Sequence, residues 1–117
     1  MIIPKIKKII ENNPVAVATC VKNKPHVIAV SFVKVIGNNQ IVITDNFMKT
    51  CKQNILKNHN IALAVWDKKW NGYRLKGEAE YYDKGKWLDF VKKMKENKGY
   101  PAKGAILIKV NEIVKLG

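Results

Sequence analysis

Apolar and polar positions along this chain follow two periods, and the switches between them divide it into short elements. Ile2, Ile3, Ile6, Ile9 and Ile10 recur at helical spacing, with Pro4 tolerated in a first turn, and Asn12-Asn13-Pro14 ends the pattern. Residues 15–21 form a compact apolar strand, followed by a turn at Lys22-Asn23-Lys24-Pro25. A longer second strand is predicted over residues 26–36, broken by Gly37-Asn38-Asn39, a strong hairpin signal. Residues 40–44 make a third strand, 51–58 a helix with Ile55 and Leu56 inward, and 61–66 a fourth strand. After a turn at Lys68-Lys69-Trp70-Asn71-Gly72, residues 73–82 alternate as a fifth strand. Trp87, Phe90, Val91 and Met94 fall on one face of a helix reaching about residue 98, a stripe that reads as core packing. Gly99-Tyr100-Pro101 breaks the chain before a last strand at 104–114. This order predicts a mostly β fold with peripheral α: six strands in a small antiparallel barrel, with about three helices.

Length and composition narrow the picture further. A chain of 117 residues, 47% hydrophobic and 26% charged, reads as one folded domain over 1–117, without internal repeat or linker. No apolar run is long enough to span a bilayer. The start, Met1-Ile2-Ile3-Pro4-Lys5, runs into charge too soon for a secretory signal, so a cytoplasmic location is expected by default.

Charge raises a second class of function. With 22 basic residues against 9 acidic, the net charge is +13, which attracts polyanions. All the basic residues but Arg74 are lysines, spread along every segment. Dedicated nucleic-acid readers favour arginine for bidentate contacts. A nucleic-acid-binding barrel with Trp70, Tyr73, Tyr81 and Tyr82 as stacking platforms is therefore the alternative, not the leading reading.

Candidate chemistry is sparse. Cys20 and Cys51 are isolated, as are His26 and His59, and no metal-ligand spacing exists. Cys20 reads as buried in its strand and Cys51 as a partly exposed, inert thiol. Glu78 and Glu80 read as an exposed edge, and no phosphate-binding glycine motif is present. The informative stretch is Thr44-Asp45-Asn46-Phe47-Met48-Lys49-Thr50, between a strand and a helix start. Free N–H groups, the positive end of the helix dipole, the Lys49 charge and the Thr50 hydroxyl together suit an anionic, phosphate-bearing ligand. The plainer reading is that Asp45 or Asn46 merely caps the helix. A protein without its own acid–base set, yet with an anion site, relies on a bound cofactor for chemistry.

Three segments then carry a family resemblance: Lys24-Pro25-His26-Val27-Ile28-Ala29-Val30-Ser31-Phe32-Val33; Ile43 to Thr50, continuing through Asn54-Ile55-Leu56-Lys57-Asn58 and Ile61-Ala62-Leu63; and Tyr100 to Lys109. In this order they resemble the FMN-binding split-barrel proteins related to pyridoxamine phosphate oxidase. The resemblance implies a homodimer with one FMN per protomer in a groove between the chains. Lys49 and Thr50 would grip the phosphate, and a shift of register would put Lys52 there in place of Lys49. Val30 and Ser31 would lie along the ring, Thr44, Asp45 and Asn46 near its edge and the ribityl chain. Tyr100 and Pro101 would approach from the partner protomer. Some relatives of this fold hold haem or a deazaflavin instead. The vitamin oxidases themselves resemble this chain but carry a longer C-terminal region with an arginine-containing substrate motif, to which Arg74 has no evident correspondence. The implied function is that of a small flavin-dependent oxidoreductase or electron carrier.

Overall fold

The computed structural model describes residues 1–116. Helix α1 (Pro4–Asn12) opens with proline in its first turn, where a missing N–H leaves no bond unmade. Ile6, Ile9 and Ile10 point inward together with Ile2, whereas Ile3 of the predicted stripe faces out. The Asn12 and Asn13 side-chain amides donate to the carbonyls of Lys8 and Ile9, closing the last turn.

Strands β1 (Val15–Val21) and β2 (Lys24–Val30) form a hairpin whose two turn residues, Lys22 and Asn23, have φ of 52° and 62°. Such a left-handed pair matches the right-handed twist of the strands it joins. A second hairpin joins β3 (Val33–Ile36) to β4 (Gln40–Asp45) through Gly37 at φ 63°. Then follow α2 (Thr50–Lys57), β5 (Asn60–Trp66), β6 (Gly72–Tyr82), α3 (Lys86–Lys92), a 3-10 turn (Lys95–Asn97) and β7 (Gly104–Leu116).

The seven strands make a single sheet of order β2-β1-β5-β6-β7-β4-β3, with every neighbouring pair antiparallel. The expected six-stranded barrel is corrected in two ways. Residues 26–36 are two strands, and the sheet is not closed: β2 and β3, its two edges, share no ladder among the described residues. Only Ser31 and Phe32 separate these edges in the chain. Three peptide steps reach at most about 10 Å, so the sheet curls until its edges face each other across a seam. The run 26–36 hid this because no glycine or proline marks the crossing; it is set by where the two halves pair, not by local propensity.

Inside the curl, Val15, Val17, Ile41, Ile43, Leu63, Val65, Leu75, Ile106 and Ile108 make the main core, each at most 2% exposed. Burying each of these side chains stabilises the fold by about 1.5–3 kcal/mol before entropy is subtracted. A second cluster of Val42, Val91, Met94, Ala102 and Ala105 lies on the other face of β4 and β7, packed under α3. The helix expected to reach about residue 98 stops at Lys92, and the following 3-10 turn buries Asn97. There its side-chain oxygen accepts the Asn46 amide at 2.8 Å, a tertiary bond that sequence periodicity does not encode.

Strand β6 is paired on both sides, so Glu78 and Glu80 project from the exposed face of an inner strand and do not form an edge. Its register shifts at Lys76/Gly77, where a Cβ on Gly77 would stand 2.2 Å from the Lys109 carbonyl oxygen. On the outer face of β2, β1 and β5, Ala29 pairs with Ala16 and Ala16 with Ala64, while Val27 pairs with Ala18 and Ala18 with Ala62. The result is a patch of small apolar side chains that are half-buried or exposed.

Candidate functional site

The seam between the sheet edges opens into a cavity of about 500 Å³. One wall is His26, Ile28, Ala29 and Val30 from β2, continued by Phe32 of the crossing. The facing wall is Thr44, Asn46, Phe47, Met48, Lys49, Thr50 and Cys51, completed by Tyr100. A concave site of this size with apolar walls and a few polar groups at one end is the usual form of a small-molecule pocket.

The polar end is built by the chain between β4 and α2. Asp45 is fully buried, and its Oδ1 accepts the Met48 N–H at 2.8 Å, folding the loop into a tight turn. Lys103 closes the same turn from outside: its ammonium donates to the Met48 carbonyl and stands 3.9 Å from Asp45 Oδ1. Asn46 anchors the other flank, donating to Asn97 and accepting the Ala102 N–H at 2.8 Å. Lys49 occupies the N-cap position of α2 but supplies no side-chain cap. The first N–H groups of the helix therefore lack an intrahelical acceptor at the cavity end where Lys49 and Thr50 are exposed. Such orphan donors, a dipole and a free ammonium form a site suited to an anion.

Contrary to the plainer sequence reading, neither Asp45 nor Asn46 caps α2; Asp45 closes the turn before it and also has a partner that the sequence did not reveal. The Tyr81 hydroxyl donates to Asp45 Oδ2 at 2.5 Å. Burial and, after it, this bond to a carboxylate push the Tyr81 hydroxyl above its ordinary pKa, so it keeps its proton. Gly104, opposite Asp45 in the β4–β7 ladder, makes room: a Cβ there would lie 2.0 Å from the Tyr81 hydroxyl oxygen. Lys52 stands over the Tyr81 ring with its Nζ 4.9 Å from the centroid.

Of the residues expected at a cofactor site, Val30, Thr44, Asn46, Lys49, Thr50 and Tyr100 line the cavity. Ser31, Asp45, Lys52 and Pro101 do not: Ser31 is exposed in the crossing, Asp45 lies behind the loop, Lys52 faces Tyr81, and Pro101 is exposed beyond Tyr100. Tyr100, expected from a partner protomer, lines the cavity of its own chain. It packs edge-on against Phe32 and Phe47, with ring centroids 5.0 and 6.3 Å away. His26, Ile28, Ala29, Phe32, Phe47, Met48 and Cys51 are wall residues not singled out from the sequence. Alternation along β2 could have found His26 and Ile28, which share a face with Val30.

The two thiols exchange the roles expected of them. Cys20 is half-exposed, whereas Cys51 is 1% exposed. Burial, and secondarily the charge of Asp45, push the Cys51 thiol up to about 11, which makes it a poor nucleophile at neutral pH. Among the aromatic residues weighed as stacking platforms, Trp70 is exposed, Tyr73 is buried, and Tyr81 and Tyr82 are half-buried. Arg74 lies on the sheet, 3.5 Å from Glu112 and away from the cavity walls.

Comparison with known proteins identifies the family and the fold. The family model for pyridoxamine 5'-phosphate oxidase matches residues 2–116. An uncharacterised protein of Methanocaldococcus jannaschii is 36% identical over 114 residues, covering 93% of this chain and 76% of its own. The crystal structure of HupZ from Group A Streptococcus superposes with a TM-score of 0.91 at 26% identity, over 99% of this chain and 94% of that one. An FMN-binding protein from Syntrophomonas wolfei shares the fold, with a TM-score of 0.78 at 16% identity over 95% of this chain and 83% of that one. By its match along nearly the whole sequence, the chain belongs to the pyridoxamine 5'-phosphate oxidase family.

Proposed function

We propose that this protein binds FMN in the seam cavity and acts as a small flavin-dependent oxidoreductase or electron carrier. One observation carries the reading. A single cavity joins an apolar wall from β2 to an uncapped helix start bearing Lys49 and Thr50, which suits a planar ring at one end and a phosphate at the other. FMN, when bound, supplies the redox chemistry, exchanging one or two electrons with a substrate or donor. The chain's own residues bind and orient it. Ile28, Val30 and Phe32 shield the ring from water, while Lys49, Thr50 and the first N–H groups of α2 hold the phosphate. Lys49 fits this role better than Lys52, whose ammonium is turned to Tyr81.

A homodimer belongs to the same proposal. The small apolar patch of Ala16, Ala18, Val27, Ala29, Ala62 and Ala64 adjoins the β2 wall and would be covered by a second copy. Ala16→Glu should turn a dimer into a monomer in size-exclusion chromatography with light scattering; an unchanged mass would place the interface elsewhere.

The cofactor is tested by a visible spectrum of the purified protein, taken before and after adding FMN and desalting. A flavin band that persists in the wild type and is lost in Lys49→Ala/Thr50→Ala is the expected result. A Soret band would redirect the reading to haem. A blank spectrum with salt-dependent oligonucleotide binding would favour the nucleic-acid reading instead.

A further inference from the structure

Asp45 is an unusual choice for a loop cap at an anion site. It is 0% exposed, and a buried carboxylate costs several kcal/mol in lost hydration unless its oxygens are satisfied. A neutral asparagine would accept the same Met48 N–H without that cost. A negative charge behind a phosphate loop also opposes the phosphate itself. The structure resolves both difficulties with one set of contacts. The Tyr81 hydroxyl satisfies Oδ2 at 2.5 Å, the Met48 N–H satisfies Oδ1 at 2.8 Å, and the Lys103 ammonium stands 3.9 Å from Oδ1. Lys103 also takes the Met48 carbonyl, and its own N–H donates to the Asp45 carbonyl at 2.9 Å. Both backbone polar groups of Met48 are thus held immediately before Lys49. Tyr81 packs beside Gly104, and the Lys52 ammonium stands over its ring.

We propose that Tyr81 is a positioning residue for the phosphate end of the cavity: by satisfying Asp45 it fixes the 46–49 loop and offsets a charge that would otherwise repel the ligand. This deepens the flavin reading and rests on it. The consequence is selectivity. The Tyr81 hydroxyl should affect binding of FMN, which carries the phosphate, far more than binding of riboflavin, which does not. Outer contacts behind metal ligands alter affinity by about 10–100-fold, and the lower end of that scale is taken here for a hydroxyl that touches no ligand.

The experiment measures dissociation constants for FMN and riboflavin by flavin fluorescence quenching, in wild type, Tyr81→Phe, Asp45→Asn and the double variant. Thermal melts and retained riboflavin binding establish that each variant is folded. Tyr81→Phe should lower the preference for FMN over riboflavin by about tenfold, because the Asp45 charge remains and loses its partner. In the double variant the preference should return toward the wild-type ratio, since a neutral amide leaves no charge to offset. That recovery distinguishes positioning from simple destabilisation, which a second lesion would deepen. A folded Tyr81→Phe protein with an unchanged ratio overturns the inference while leaving flavin binding intact. A wild type that binds both flavins equally removes the phosphate site on which the inference rests. A wild type that binds neither removes the flavin reading with it.

Discussion

Replacing Gly104 by alanine tests whether the aromatic clamp, and not the backbone, dictates glycine at this position. An ideal Cβ there meets three Tyr81 atoms first: the hydroxyl oxygen at 2.0 Å, Cζ at 2.3 Å and Cε1 at 2.9 Å. No real contact is that short, so the ring must swing away, which relieves the overlap but breaks the 2.5 Å bond to Asp45. Losing a hydrogen bond to a carboxylate costs about 1.5–3 kcal/mol. Residual crowding adds about 1 kcal/mol, and the stiffer unfolded chain returns about 0.4–1 kcal/mol. The net loss is about 2–3 kcal/mol, a large fraction of a typical domain's stability. In a Tyr81→Ala background all three atoms are gone, and the same methyl should be neutral or stabilising by up to about 1 kcal/mol. Urea unfolding of the four proteins in this cycle supplies the numbers, with equal m-values required for the comparison. An equal penalty for Gly104→Ala in both backgrounds would refute the clash and assign the cost to the strand itself.

Other expectations follow from neighbouring features. Gly77→Ala should cost about 3 kcal/mol in the same assay, because its Cβ meets the Lys109 carbonyl at 2.2 Å and a backbone atom cannot swing aside as Tyr81 can. Iodoacetamide at pH 8, followed by peptide mass spectrometry, should label half-exposed Cys20 and leave Cys51 unmodified, since burial keeps that thiol protonated up to about 11. Asp67, held below its usual range chiefly by bonds from the Asn71 side chain and backbone, organises the β5–β6 turn that carries the stacked rings of Trp66 and Trp70. Because its folded pKa is lowered, its contribution is complete above its unfolded value near 3.9 and fades as pH falls through the folded one. The tryptophan signal in circular dichroism should therefore hold at pH 5 and change only below about pH 4.

Much of the fold was legible because single elements carry their own period. The isoleucine stripe of α1 and the hairpin residues around Gly37 depend on local physics alone. The Ser31–Phe32 crossing was illegible for the opposite reason. Nothing local breaks the strand there; the break exists because Val30 pairs with Val15 and Val33 with Ile43, at opposite edges of the sheet. The segment after the helix end at Lys92 is a similar case, joined to the site loop by a distant bond between Asn97 and Asn46. For the site, charge and turn chemistry singled out the loop from Thr44 to Thr50, because helix starts advertise themselves in side chains. The loop's supports were invisible, since Tyr81, Lys103 and Gly104 lie 36 to 59 positions away from Asp45 and look unremarkable in their own segments. The thiols reversed because neither apolar neighbours nor adjacent lysines say which face of an element a residue occupies.

The place of β7 in the sheet bears on how the protein is made. It is the last of the seven strands in the chain, yet it lies between β6 and β4. As the polypeptide leaves the ribosome, β1, β2, β5 and β6 can assemble with one another, while β3 and β4 have only their own hairpin. The two cavity walls belong to these separate groups, and β7 joins them through the sheet. A chain cut before residue 104 would thus present an aliphatic half-sheet with an unpaired β6 edge, a surface prone to aggregation. Neither half of the sheet has all its ladders until β7 is in place.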